Sequence, residues 1–220
     1  MANQIETLNG IAVTSIEAVN GLADAAIEKI NGLEFTGTIP DAHTLIATAT
    51  ASSSATLEFT SGIDSTYDVY EFHFTNMHPQ TDSVYPKFQP STNGGSSYGV
   101  ATTTTYVRAH HAEDDSSAGL AYVTGYDSAQ STGLIQIGED VGADADQSLS
   151  GIMKLYAPSS TTYVKHFTID TQNVNGGNWS ANQFIAGYVN TTSAVNAIQF
   201  SFSSGNIDAG VIKMYGIATS

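Results

Sequence analysis

The chain has 220 residues, 41% hydrophobic and 12% charged, with six Lys and Arg against 21 Asp and Glu and a formal net charge of -15. That hydrophobic share supports a real core and argues against global disorder, while the acid excess, with no basic stripe to offset it, argues against a nucleic-acid backbone as partner. With no cysteine, disulfides and thiolate metal sites are excluded, and the polar surface must come from Ser, Thr, Asn and Gln, as in a many-stranded β protein.

The first element in chain order is a repeat: IETLNGIAVTS, IEAVNGLADAA and IEKINGLEFTG, with Asn9-Gly10, Asn20-Gly21 and Asn31-Gly32 spaced eleven residues apart. Ile5, Ile16 and Ile27 open the units, Leu8, Val19 and Ile30 precede the Asn, and Ile11, Leu22 and Leu33 follow the Gly. A unit this short has no core of its own and must stack on something to bury its apolar positions. Residues 1–41 are therefore read as an assembly segment, and those nine apolar residues as its anchoring and oligomer interface. A continuous helix with this period would coil right-handed, but Asn and Gly inside it cost roughly 1.5 kcal/mol per repeat. The preferred local reading is short helical segments, such as Ala25–Ile30 capped by Asp24 and ended by Asn31-Gly32, with Ser15 capping the one that ends at Asn20-Gly21. Tight hairpin turns at each Asn-Gly are the alternative.

The opening Met1-Ala2-Asn3-Gln4 has neither a basic region nor a long apolar run, and no 18-residue apolar span follows. The expectation is no signal peptide and no membrane insertion, with synthesis in a reducing cytosol and release by another route such as lysis.

From His43 the chain reads as strand after strand, broken by Gly, Ser, Asn and Asp clusters. The expected strands are 43–52, 55–60, 67–76, 84–89, 99–109, 120–126, 133–137, 149–156, 163–171, 184–189, 197–203 and 210–217. In the third, Val69, Glu71, His73 and Thr75 share one face and Tyr70, Phe72 and Phe74 the other; Ile198, Phe200 and Phe202 alternate with Gln199, Ser201 and Ser203. No amphipathic helix is expected after residue 41. Many strands, short polar turns and no helical crossovers predict an all-β protein: an antiparallel jelly-roll-like β-sandwich over 42–220, preceded by the repeat segment.

The ending Ser204-Gly205-Asn206-Ile207-Asp208-Ala209-Gly210-Val211-Ile212-Lys213-Met214-Tyr215-Gly216-Ile217 resembles that of tailed-bacteriophage virion proteins, in which a strand, a Gly-Asn turn and a last strand close the sandwich. Leu57-Glu58-Phe59-Thr60 with Tyr67-Asp68-Val69-Tyr70-Glu71-Phe72 is similar to the first sheet of such proteins, and Gln89 to Tyr98 fits their pattern. The Ile-x-x-Asn-Gly units resemble N-terminal segments of structural proteins in phages of marine bacteria and cyanobacteria. The resemblance covers most of the chain through degenerate motifs. It implies a virion structural protein of fibre or capsid-decoration type, and a homotrimer.

Three groups are weighed as sites. Asp140, Asp144 and Asp146 lie in the densest acidic run and are of the hard-oxygen type that holds Ca²⁺, but the spacing is not that of an EF-hand and a solvated loop is preferred. Adjacent His110 and His111 on a strand point to opposite faces and cannot easily share a metal; packing or exposure is the preferred account, and the same holds for His43, His73, His78 and His166. Trp179, the only tryptophan, follows Asn178 in a Gly/Asn-rich stretch; it is a candidate glycan contact with Asn178, or else caps the end of the sandwich. No HExxH or GxSxG motif is present, so neither a catalytic residue nor a cofactor is assigned.

The sequence therefore leads to a virion protein, made in the host cytoplasm, that works by binding. Its repeats anchor it to capsid or tail, and its sandwich faces outward as a fibre or appendage, with a host-surface glycan as one partner. A capsid decoration protein that stabilises the head is the alternative, and a carbohydrate-processing enzyme a distant third.

Overall fold

The structure, a computed structural model, describes residues 43–218 continuously and six two-residue strands ahead of them. The chain divides into two units, residues 1–42 and 43–220.

In the first unit, β1 (Thr7–Leu8) pairs antiparallel with β2 (Ile11–Ala12), β3 (Ala18–Val19) with β4 (Leu22–Ala23), and β5 (Lys29–Ile30) with β6 (Leu33–Glu34). Leu8 stands opposite Ile11, Val19 opposite Leu22 and Ile30 opposite Leu33, which leaves just Asn-Gly between the strands each time. The hairpin alternative therefore replaces the helical segments: Ala18–Val19 and Lys29–Ile30 are strands. Asn-Gly is the favoured two-residue hairpin connection, whereas inside a helix both residues are costly. Ile5, Ile16, Ile27, Ser15 and Asp24 lie outside the described residues.

The second unit contains β7 (His43–Thr50), β8 (Leu57–Phe59), β9 (Val69–Pro79), β10 (Pro86–Ser91), β11 (Thr102–Ala112), β12 (Ala118–Tyr122), β13 (Ser128–Ser131), β14 (Ile135–Gln136), β15 (Leu149–Tyr156), β16 (Lys165–Val174), β17 (Trp179–Val189), β18 (Ala197–Phe202) and β19 (Ile207–Ile217). Among the described residues there is no helix. A small sheet runs β14-β10-β18-β8, and a large one runs β12-β11-β17-β16-β15-β9-β19-β7, with β13 also on β11; all pairings are antiparallel. Setting β11–β13, β16 and β17 aside, eight strands remain. Their order is first-eighth-third-sixth in one sheet and second-seventh-fourth-fifth in the other, which is the wiring of a jelly roll. The set-aside strands are two insertions, and they pair with each other through β11 and β17, widening the large sheet beyond the small one.

Alternation decides which residues fill the space between the sheets. Tyr70, Phe72 and Phe74 of β9 and Ile198, Phe200 and Phe202 of β18 are buried. Phe200 is the hub, with ring centroids 5.6 Å from Phe72, 5.2 Å from Phe74, 6.2 Å from Phe59 and 6.5 Å from Phe88. After Phe74 the inward positions of β9 change parity to Met77 and Pro79. The cause is a bulge at Asn76 (φ 48°), where the register to both β15 and β19 shifts; one extra residue turns every later side chain to the other face. Facing it, Gly210 takes φ 121°, and a Cβ there would lie 2.7 Å from the Asn76 carbonyl oxygen.

Where the large sheet outruns the small one, parts of the 123–148 stretch outside β13 and β14 pack on its inner face. Tyr126 packs 5.4 Å from Tyr106. Thr171 donates to the Ile137 carbonyl at 2.7 Å, and Asn173 Nδ2 to the Glu139 carbonyl at 2.7 Å. The latter two bonds supply partners to a loop backbone that would otherwise be buried unpaired. Lys165, also buried, points Nζ at the carbonyls of Tyr163 (3.0 Å) and Thr191 (3.1 Å), and burial pushes its ammonium below the ordinary lysine pKa.

Candidate functional site

The acidic run does not form a cation cage. Glu139 is buried and ion-paired with Arg108, and burial drives its carboxyl above the ordinary glutamate pKa against the pull of Arg108. Asp140 (φ 50°) accepts the Gly176 N–H through its backbone oxygen. Asp144 and Asp146 are exposed in a turn closed by the Gln147 N–H to the Asp144 carbonyl at 2.9 Å. Among the described residues no three His, Asp or Glu side chains are placed to share an ion, so Asp140, Asp144 and Asp146 are not gathered. The bridge at Val141, which pairs with both Val84 and Asn175, separates the first aspartate from the other two.

His110 and His111 do take opposite faces. His110 faces inward and stacks on Trp179 (centroids 4.7 Å apart, planes 14°), with Nε2 3.2 Å from Ser117 Oγ. His111 faces outward, its Nε2 3.3 Å from Asp115. Trp179 is not on a loop tip: it opens β17 opposite Ala112, half-buried, with one ring face closed by His110. Asn178 Oδ1 accepts from Gln147 Nε2 at 2.8 Å. Trp179 and Asn178 thus each have a partner within the fold, while Asn178 stays exposed.

What the strand pattern shows only in part is a polar cluster on the outer face of the large sheet. Glu71 and His73 share that face, as their alternation expects; β19 then brings Tyr215 opposite Glu71, β15 brings Lys154 opposite it on the other side, and β7 brings His43. Glu71 Oε1 accepts Lys154 Nζ at 2.7 Å, and Oε2 lies 2.8 Å from His73 Nε2 and 3.2 Å from His43 Nε2. Tyr215 packs 4.8 Å from the His73 ring. Burial pushes the Glu71 pKa up, but hydrogen bonds from Lys154 and His73 and the charges of Lys154 and His43 outweigh it, and the net shift is downward. The carboxylate raises Lys154 in turn. With both its oxygens engaged, Glu71 ties the edge strand β7 to β9 and β15; it is a clasp.

A groove of about 580 Å³ opens beside the β9 bulge, lined by Asn76, His78, Asp146, Gln147, Ser148 and Asp208, with Ala143, Ala145 and Ala209. His78 spans it, Nδ1 3.7 Å from Asp208 and Nε2 3.2 Å from the Asp144 carbonyl oxygen. Among the described residues the exposed large apolar side chains are Leu45, Leu120, Tyr122, Leu134, Tyr163 and Phe184. Compared with protein-family models, with curated proteins and with solved structures, the chain matches none significantly. The described residues present three short hairpins, a groove lined by Asp146 and Asp208, and a broad outer sheet face.

Proposed function

We propose that this chain is a virion structural protein of a tailed phage, a projecting appendage anchored through its N-terminal hairpins, with its sandwich facing outward. The observation that carries the reading is the contrast between the two units. Each hairpin has a ladder of two residue pairs, too short for an isolated hairpin to be stable in water. The sandwich, by contrast, has a core of its own, running among the described residues from Ala51 to Met214. A segment that repeats one apolar pair beside one turn three times is suited to docking on a repeating partner, either other particle proteins or symmetry mates in a homotrimer. The sequence resemblance to phage structural proteins points the same way. Binding rather than catalysis is the work assigned.

The test removes residues 1–42. The shortened protein should unfold with the cooperativity of the intact chain yet fail to join particles when supplied during assembly; normal incorporation would refute the anchor. Copy number separates the two virion roles. Hundreds per particle would place the protein on the capsid as a decoration protein, a few dozen or fewer on a tail or fibre.

A further inference from the structure

Along β17 the side chains alternate: Gln183 points into the sandwich, and Phe184 points out from the large sheet, 52% exposed. Across the neighbouring strands Phe184 belongs to a register row that runs Tyr122, Val107, Phe184, Asp170 over β12, β11, β17 and β16. Tyr122 is 51% exposed, and its hydroxyl donates to Asp127 Oδ2 at 2.5 Å, which ties the ring tip to the turn after β12. With strands about 4.8 Å apart, the backbones that carry the two rings lie about 10 Å from each other, with Val107 between them.

The positions beside Phe184 are polar, and their donors are already engaged. Asn182 Nδ2 donates to Asp170 Oδ1 at 2.8 Å and to the Thr171 carbonyl at 3.1 Å. Gln172 Nε2 donates to Ser180 Oγ at 3.0 Å and to the Asn173 carbonyl at 3.2 Å. Asn182 and Gln172 stand opposite each other, and both are exposed, as is Asp170. What they offer to solvent is a set of oxygen acceptors held in place: the two amide oxygens and the second carboxylate oxygen of Asp170. The nearby charges are acidic too, Asp127 and the turn that carries Glu113, Asp114 and Asp115, whereas Lys154 and Lys213 stand on β15 and β19.

We infer that this end of the outer face, centred on Phe184 and Tyr122, binds an uncharged polysaccharide. A pyranose ring presents a C–H face that packs on an aromatic ring and, around its edge, hydroxyl groups that donate hydrogen bonds. Exposed rings beside carboxylate and amide acceptors match both, and bonds to the Asp170 carboxylate are of the stronger, charge-assisted kind. Two rings about 10 Å apart suit successive sugars of a chain rather than one small molecule. The acidic surroundings repel a polyanion. A protein partner would need cations of its own placed over Asp170 and Asp127, whereas hydroxyl groups need none. The inference rests on the reading that the sandwich works by binding and names its ligand class; the hairpins play no part in it.

The test runs the full chain through native gels that contain a neutral polysaccharide (soluble β-glucan, galactomannan or dextran) or the polyanion alginate. Wild type should be retarded by at least one neutral polymer and not by alginate. Phe184→Thr removes the ring but keeps a strand-favouring side chain. It and Tyr122→Ala should each bind that polymer about tenfold more weakly or worse, while Phe184→Tyr should bind like wild type. Both side chains are exposed, so all three variants should keep the wild-type melting temperature. The inference is overturned if no neutral polymer retards wild type, if alginate does, or if retardation persists in both ring-removing variants. A wild type that binds no polymer but self-associates in sedimentation equilibrium, with Phe184→Thr monomeric, also overturns it and assigns the face to a second copy. None of these outcomes touches the virion anchor, which the truncation tests separately.

Discussion

Glu71→Gln tests whether the outer-face clasp contributes to stability through charge. The substitution keeps the shape but replaces a carboxylate that engages Lys154, His73 and His43 at 2.7, 2.8 and 3.2 Å with an amide that has one acceptor and an NH₂ facing other donors. Hydrogen bonds to charged groups contribute about 1.5–3 kcal/mol each. The Lys154 side chain is 45% exposed, so solvent screening discounts its share, and a net loss of about 2 kcal/mol is expected. The pH dependence carries the sharper test. The folded pKa of Glu71 lies below its ordinary value. Its stabilisation is therefore fully present above the unfolded value of about 4.3 and lost as pH falls through the depressed folded value. Urea unfolding of both proteins from pH 5.5 downward stays below the ordinary histidine range. The gap in free energy should hold at the upper end and shrink once pH drops below the unfolded value. A gap that does not change with pH, or a variant as stable as wild type at pH 5.5, would refute the charge argument.

Three further outcomes follow from the core. Phe200→Ala removes the ring on which Phe59, Phe72, Phe74 and Phe88 converge; it should cost about 4 kcal/mol, seen as a melting temperature lower by roughly 8–16 °C. Gly210→Ala puts a Cβ against the Asn76 carbonyl oxygen and the Met77 backbone at a φ of 121°, and urea titration should show a loss of about 2–3 kcal/mol. Tyr106→Phe removes a buried hydroxyl that forms no well-aligned hydrogen bond, with the Gln136 amide close by, so its unfolding free energy should stay within about 1 kcal/mol of wild type.

The strand pattern was readable because alternation is local. Tyr70, Phe72 and Phe74, and Ile198, Phe200 and Phe202, face the core as their spacing requires, and the twelve expected strands all have counterparts. Where reading failed, the chemistry was polar. Ser128–Ser131 carries no β-branched or aromatic signal yet pairs with β11. β17 begins at Trp179, five residues ahead of the expected start at Phe184, because its buried Gln183 is satisfied by Thr171 and Asn173 across the sheet rather than by apolar packing. In the repeats, helix-ending and hairpin chemistry use the same Asn-Gly pair, so propensity does not decide the strands beside it.

Sequence alone determines that this protein is all-β after residue 41, that its turns fall at the Gly, Ser, Asn and Asp clusters, and that it carries a strong negative charge on a chain without thiols. Tertiary structure decides which strands become neighbours: the jelly-roll order of eight of them, the meeting of the two insertions at β11 and β17, the clasp around Glu71, and the gathering of Leu120, Tyr122 and Phe184 on the outer face of the large sheet. The physical reason is range. A side chain's inward or outward direction follows from the period of two in its own strand, whereas cross-strand partners are selected by register over long sequence separations, where burial of the whole face chooses among many locally equivalent pairings.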